Sequence, residues 1–170
     1  ELARVIAENV ELRKQGAAKR KEEKAVEYID VNNALEWQTR KLVIDLQLKE
    51  AGWDFDTNVQ VEFPVHHMPT ESQDGYVDYI LRGRTGKIIA VIEAKKTSAN
   101  PRIGRNQAKL YADCIEKEYG LRPVIFYTNG YETYIWDDMM YPDRRISSIF
   151  SQDEIQLLID RRDTRRSISK

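Results

Sequence analysis

The chain has 170 residues, a mass of 19.9 kDa, a formal net charge of −1 and 32% charged residues. That length accommodates one ordinary domain with an appendage, and the charge balance excludes a globally basic nucleic-acid binder, so any such surface must be local. Cys114 is the single cysteine, which excludes an internal disulfide and fits a reduced, cytoplasmic setting. No apolar run approaches the length of about 18 residues that a membrane helix needs. The chain opens at Glu1, without a starting Met or a visible signal peptide, and reads as a piece of a longer protein.

Residues 1–30 form a highly charged, helix-favouring stretch. Leu2, Val5 and Leu12 make a thin heptad seam that Asn9 interrupts, which reads as a connecting helix rather than a strong coiled coil. The run from Lys19 to Lys24 reads as a solvated face. A globular domain over 31–150 follows. Asn32 or Asn33 caps a helix that runs to Ala51-Gly52, with Leu35, Leu42, Val43, Leu46 and Leu48 as its apolar stripe. Val59–Val65 reads as a strand, and Pro64 and Pro69 bracket an irregular segment carrying His66 and His67. Gly75–Leu81 and Ile88–Lys96 are two further strands, joined by the turn-rich Arg82–Lys87. Pro101 opens a helix that Gly120 ends. Val124–Thr128 and Tyr131–Trp136 flank Asn129-Gly130, a signal for a two-residue hairpin. Residues 151–170 supply a last helix, capped by Ser151 and reaching Arg162, and a basic tail. The order α, β, β-hairpin, α, β-hairpin, α predicts an α/β domain with a mixed sheet flanked by helices.

One cluster carries chemistry. Residues two apart on a strand share a face, so Glu93 and Lys95 point together while Ala94 and Lys96 point away. The hairpin brings Asp78 alongside. Burying two carboxylates and an ammonium is costly unless they bind a metal or one another. Two hard oxygen ligands suit Mg²⁺, with the Ala94 carbonyl as a further ligand. The alternative is a surface hairpin bearing a salt bridge. His66 and His67 face opposite ways and make a poor metal pair. Cys114 reads as a small buried side chain, and Gly83-Arg-Thr-Gly86-Lys87 lacks the spacing of a phosphate loop. Arg102 and Arg105, at the start of the third helix, are candidates for DNA backbone contact.

Asp78…Glu93-Ala94-Lys95 resembles the signature of the PD-(D/E)xK nuclease superfamily, with Val77 where the superfamily name implies Pro. Gln107-Ala-Lys-Leu-Tyr111 resembles the QxxxY element of its RecB-like branch. The helix from Glu36 to Trp53 and Tyr127-Thr-Asn-Gly130 resemble the N-terminal nuclease domain of type I restriction enzyme R subunits, and Tyr141-Pro-Asp-Arg-Arg-Ile-Ser resembles the lead-in to their helicase motor. The match runs from about Asn32 to Arg162, with the elements in the family's order.

This resemblance implies a restriction-endonuclease-like fold and Mg²⁺-dependent cleavage of double-stranded DNA. Asp78 and Glu93 would hold the metal and Lys95 would serve the attacking water. Gln107 and Tyr111, one helical turn apart, would support the site from the side. Glu36 matches a carboxylate near the metal, with pairing to Arg40 as its alternative. Implied partners are the methylation and specificity subunits of a restriction-modification complex, with ATP used only by a helicase motor outside this chain. Other readings are a different RecB-like nuclease of repair or phage defence, or a non-catalytic DNA-binding or docking module of the same fold.

Overall fold

Six strands form one sheet whose spatial order is the chain order. The computed structural model describes residues 34–69, 73–96 and 99–164. The expected arm over 1–30, the Asn32 or Asn33 cap and the basic tail beyond 164 lie outside the described residues. The chain divides into two units, Glu1–Thr39 and Arg40–Lys170. In the first, residues 34–39 are helical and the Thr39 hydroxyl donates to the Leu35 carbonyl at 2.9 Å.

In the second unit, residues 40–50 are helical (α1) and end in a Schellman turn. Gly52 sits at φ +84°, its N–H donates to Lys49, and the Trp53 N–H reaches back to Leu48 at 3.0 Å. Strands β1 (Val59–His66), β2 (Asp74–Arg82) and β3 (Ile88–Ala94) form an antiparallel meander. A 3₁₀ turn (Pro101–Gly104) then leads into α2 (Arg105–Tyr119), which Gly120 ends at φ +75°. This helix is the crossover that lets β4 (Val124–Thr128) lie parallel to β3. Strands β5 (Thr133–Trp136) and β6 (Arg144–Ile146) complete the sheet, and α3 (Gln152–Thr164) follows. Ser151 and Glu154 form a reciprocal capping box at its start.

The core has two halves, one on each sheet face. Ile44 and Leu48 of α1 and Ile155 and Ile159 of α3 pack on Tyr79, Ile92, Phe126 and Ile135. Ala108, Tyr111, Ala112 and Ile115 of α2 pack on Ile80, Val91, Ile125 and Tyr127 from the other side. The predicted mixed sheet flanked by helices is thus the observed architecture. Every residue of β4 is buried, as expected of a strand covered on both faces.

Three local expectations are corrected. The α1 stripe is partly out of phase: Leu48 is buried as expected, but Leu42 and Leu46 are 70% and 56% exposed, and Ile44, outside the expected stripe, is fully buried with Leu48. Both pairs have i, i+4 spacing, so periodicity could not choose. Bonds from Tyr79 to Asp45 and from Gln47 to the Gly130 carbonyl fix the rotation. The β4–β5 connection is a four-residue loop, because Thr128 pairs with Thr133. Asn129 Oδ1 accepts from the N–H groups of Tyr131 and Glu132, which substitutes for the expected tight turn. Strand β6, unforeseen in the sequence, is a three-residue edge without alternation. Among the described residues no helix is long and apolar enough to cross a membrane.

Candidate active site

The hairpin register pairs Tyr79 with Ile92 and Ile80 with Val91, and its continuation sets Asp78 beside Glu93. Asp78 Oδ2 accepts the Ala94 N–H at 2.7 Å, which orients this carboxylate across the strand end. Lys95 lies one residue beyond β3, and its N–H donates to the Thr128 carbonyl at 2.8 Å, so β4 extends the support. Its ammonium donates to Glu93 Oε1 at 2.7 Å and to Gln107 Oε1 at 2.6 Å. Gln107 Nε2 in turn donates to the Tyr111 hydroxyl at 2.6 Å. The structure therefore brings Asp78, Glu93, Ala94, Lys95, Gln107 and Tyr111 together at one sheet end. Lys96 is exposed next to them. Glu36 belongs to the helical residues of the first unit.

Electrostatics mark the same place. Glu93 is 4% exposed. Burial, and then the charge of Asp78, push its carboxyl up to about 7 against the opposing pull of Lys95. Asp78 is raised too, mainly by burial, with the Ala94 N–H and then Arg40 and Lys95 holding it down. Two crowded carboxylates thus resist ionising together, the kind of perturbation that clusters at functional sites. Among the described residues no group of three or more His, Cys, Asp or Glu could hold a metal. Asp78 and Glu93 are thus a pair of carboxylates and not part of a larger side-chain cage.

Other candidates separate cleanly. His66 Nδ1 lies 2.8 Å from Asp74 on the exposed surface, and His67 sits at φ +64°. Cys114 is buried, with its thiol 3.5 Å from the Met68 sulfur. Arg102 and Arg105 converge on Asp143 Oδ2 at 3.6 and 3.3 Å. Their guanidinium groups stack on Tyr134 and Trp136, 4.9 and 3.8 Å from the ring centroids. Tyr127 donates its hydroxyl to the same Asp143.

Supporting residues went unread in the sequence. Asn129 Nδ2 donates to the Ala99 carbonyl at 3.0 Å, tying the chain beyond Lys95 to the β4–β5 loop. Arg40 lies against Gly130, and its charge reaches Asp78. Thr-Asn-Gly offered a signal for the first, while nothing near Arg40 in the chain marks the second.

The family model for the N terminus of the type I restriction enzyme R protein matches residues 60–144, which include Asp78, Glu93, Lys95, Gln107 and Tyr111. No curated protein gives a significant match. The fragment structure of a putative HsdR subunit of a type I restriction enzyme from Vibrio vulnificus YJ016 has a similar fold, with a TM-score of 0.61 at 23% identity. The similarity covers 78% of this chain and 26% of that one. The chain belongs to the family of type I restriction enzyme R protein N-terminal domains.

Proposed function

We propose that this domain is a Mg²⁺-dependent endonuclease that hydrolyses phosphodiester bonds of double-stranded DNA. The observation that carries the reading is the buried Glu93 beside Asp78, with Lys95 held between Glu93 and Gln107.

Asp78 and Glu93, with the Ala94 carbonyl, would hold the metal, and the strain of two crowded carboxylates is what a divalent cation relieves. When bound, Mg²⁺ polarises a phosphoryl oxygen and acidifies water. The remaining work falls to the chain's own groups. Lys95 has three N–H donors. Glu93 and Gln107 occupy two, and the third would serve a water or a phosphate oxygen. Gln107 fixes the ammonium, and Tyr111 fixes the orientation of the Gln107 amide. That arrangement stabilises charge developing at phosphorus without side-chain reorganisation. Arg102 and Arg105, held by Asp143 and two aromatic rings, add sequence-independent phosphate contacts. The family resemblance adds Glu36 as a further carboxylate.

This chain spans about a quarter of the HsdR fragment it resembles. ATP-driven translocation, the methylation and specificity subunits and a cytoplasmic location belong to the proposed full assembly. The test is DNA cleavage by that assembly. Asp78→Ala, Glu93→Ala and Lys95→Ala abolish it with the fold intact, whereas Lys96→Ala keeps most activity. Equal losses from the two lysines would refute the assigned strand phase.

A further inference from the structure

Two glycines border the line of side chains from Lys95 to Tyr111, one at each end. A Cβ built on Gly104 would stand 3.1 Å from Lys95 Cε, 3.2 Å from Lys95 Cγ and 3.2 Å from Glu93 Cγ. Such approaches are tighter than ordinary van der Waals contact, and all three atoms belong to side chains of the candidate site. Gly104 is buried, at φ −77° and ψ −11°. That is a helical conformation open to any residue, so backbone freedom does not explain the glycine. At the other end, a Cβ on Gly75 would stand 2.9 Å from Tyr111 Cε1. Gly75 is on β2, paired with Val65, and its φ is likewise outside the left-handed region.

The absence of a side chain at each position has one local consequence. At Gly104 the 3₁₀ turn that precedes α2 can rest directly on the stems of Glu93 and Lys95. At Gly75 the strand can rest directly on the Tyr111 ring. Between these walls run the bonds Glu93–Lys95 (2.7 Å), Lys95–Gln107 (2.6 Å) and Gln107–Tyr111 (2.6 Å). Each link is short and directional, so moving either end by a few tenths of an ångström misaligns the middle. We infer that Gly104 and Gly75 are positioning residues: they hold Lys95 and Tyr111 in register, so that Gln107 can aim the Lys95 ammonium at the scissile phosphate. The catalytic side of this role rests on the nuclease reading above. The geometric side does not.

The test uses Gly104→Ala and Gly75→Ala, each alone and with Lys95→Ala, in this chain and in the assembled enzyme. Alanine suits the helical backbone at 104, so the thermal midpoint of Gly104→Ala should hold or rise unless the Lys95 contacts oppose it. Relative to its parent, Gly104→Ala should therefore be more stable in the Lys95→Ala background, where two of the three close contacts vanish. The Lys95 ammonium NMR signal, assigned by its loss in Lys95→Ala, should shift in Gly104→Ala. Single-turnover cleavage should fall on the order of tenfold to a hundredfold in each glycine variant, with DNA affinity unchanged. A Lys95→Ala enzyme that cuts normally refutes the nuclease reading itself. An inactive Lys95→Ala, alongside glycine variants with wild-type rates and an unmoved ammonium signal, refutes the positioning role alone. If Gly104→Ala fails to fold in both backgrounds, the close contacts with Lys95 are not what selects glycine, and the inference is overturned.

Discussion

Replacing Glu93 by glutamine removes a charge that the metal-free fold resists. Burial and Asp78 raise the Glu93 carboxyl from an ordinary 4.5 to about 7. A carboxyl raised in the folded state binds more protons there than when unfolded. Its ionisation therefore costs stability progressively as pH climbs from about 4.5 to about 7, and the cost is constant above that. Each tenfold change in proton affinity is about 1.4 kcal/mol, so the full cost is on the order of 3 kcal/mol. The amide of the Glu93→Gln variant would keep an acceptor for Lys95 without the charge, although it weakens the pull on the ammonium, which reduces the net gain. Glu93→Gln should thus raise the thermal midpoint in magnesium-free buffer at pH 8 by about 5 to 10 °C. The gain should shrink to near zero by pH 4.5. Scanning calorimetry of both proteins from pH 4.5 to 8 measures it, and the difference between them cancels the titrating groups that do not interact with Glu93, leaving Glu93 together with its neighbours Asp78 and Lys95. A difference independent of pH, or one that grows toward low pH, would refute the account of Glu93 as a buried, crowded carboxyl.

Magnesium should narrow that gap: it should stabilise the wild-type chain, by about 2.7 kcal/mol at a hundredfold excess over Kd, and leave Glu93→Gln nearly unmoved. Gln107→Ala and Tyr111→Phe should each slow cleavage on the order of a hundredfold while calorimetric Mg²⁺ binding and the thermal midpoint barely change. Near-wild-type rates in both would remove these residues from the site. Tyr111→Ala is a different perturbation, because the ring is 4% exposed and its loss should cost about 3 kcal/mol or more in denaturant titration. Arg102→Ala and Arg105→Ala should each lower the slope of log affinity for duplex DNA against log salt by about 1, uniformly across sequences. Ile44→Ala should cost roughly 2 to 5 kcal/mol of stability and Leu42→Ala within about 0.5, the reverse of what the leucine stripe alone suggests.

The sequence by itself determined most of the element order. Gly52 and Gly120 end helices where the chain said they would, because a left-handed cap is a local property of one residue. The apolar runs of β2, β3 and β4 are equally local. The contents of the candidate site were legible for the same reason: strand alternation groups Glu93 with Lys95, and a helical turn groups Gln107 with Tyr111. What joins these two pairs is not local. Lys95 meets Gln107 only because α2 crosses from β3 to a parallel β4, which depends on packing across both sheet faces. The rotation of α1 was undecided for a related reason: Leu42 with Leu46 and Ile44 with Leu48 are equivalent until Tyr79 and Gly130 supply partners for Asp45 and Gln47. Strand β6 exists only because β5 offers an edge for it to pair with. The glycines at 75 and 104 were silent in the chain because their backbone is ordinary. Only the tertiary structure puts Tyr111, Glu93 and Lys95 where a single methyl group would have to stand.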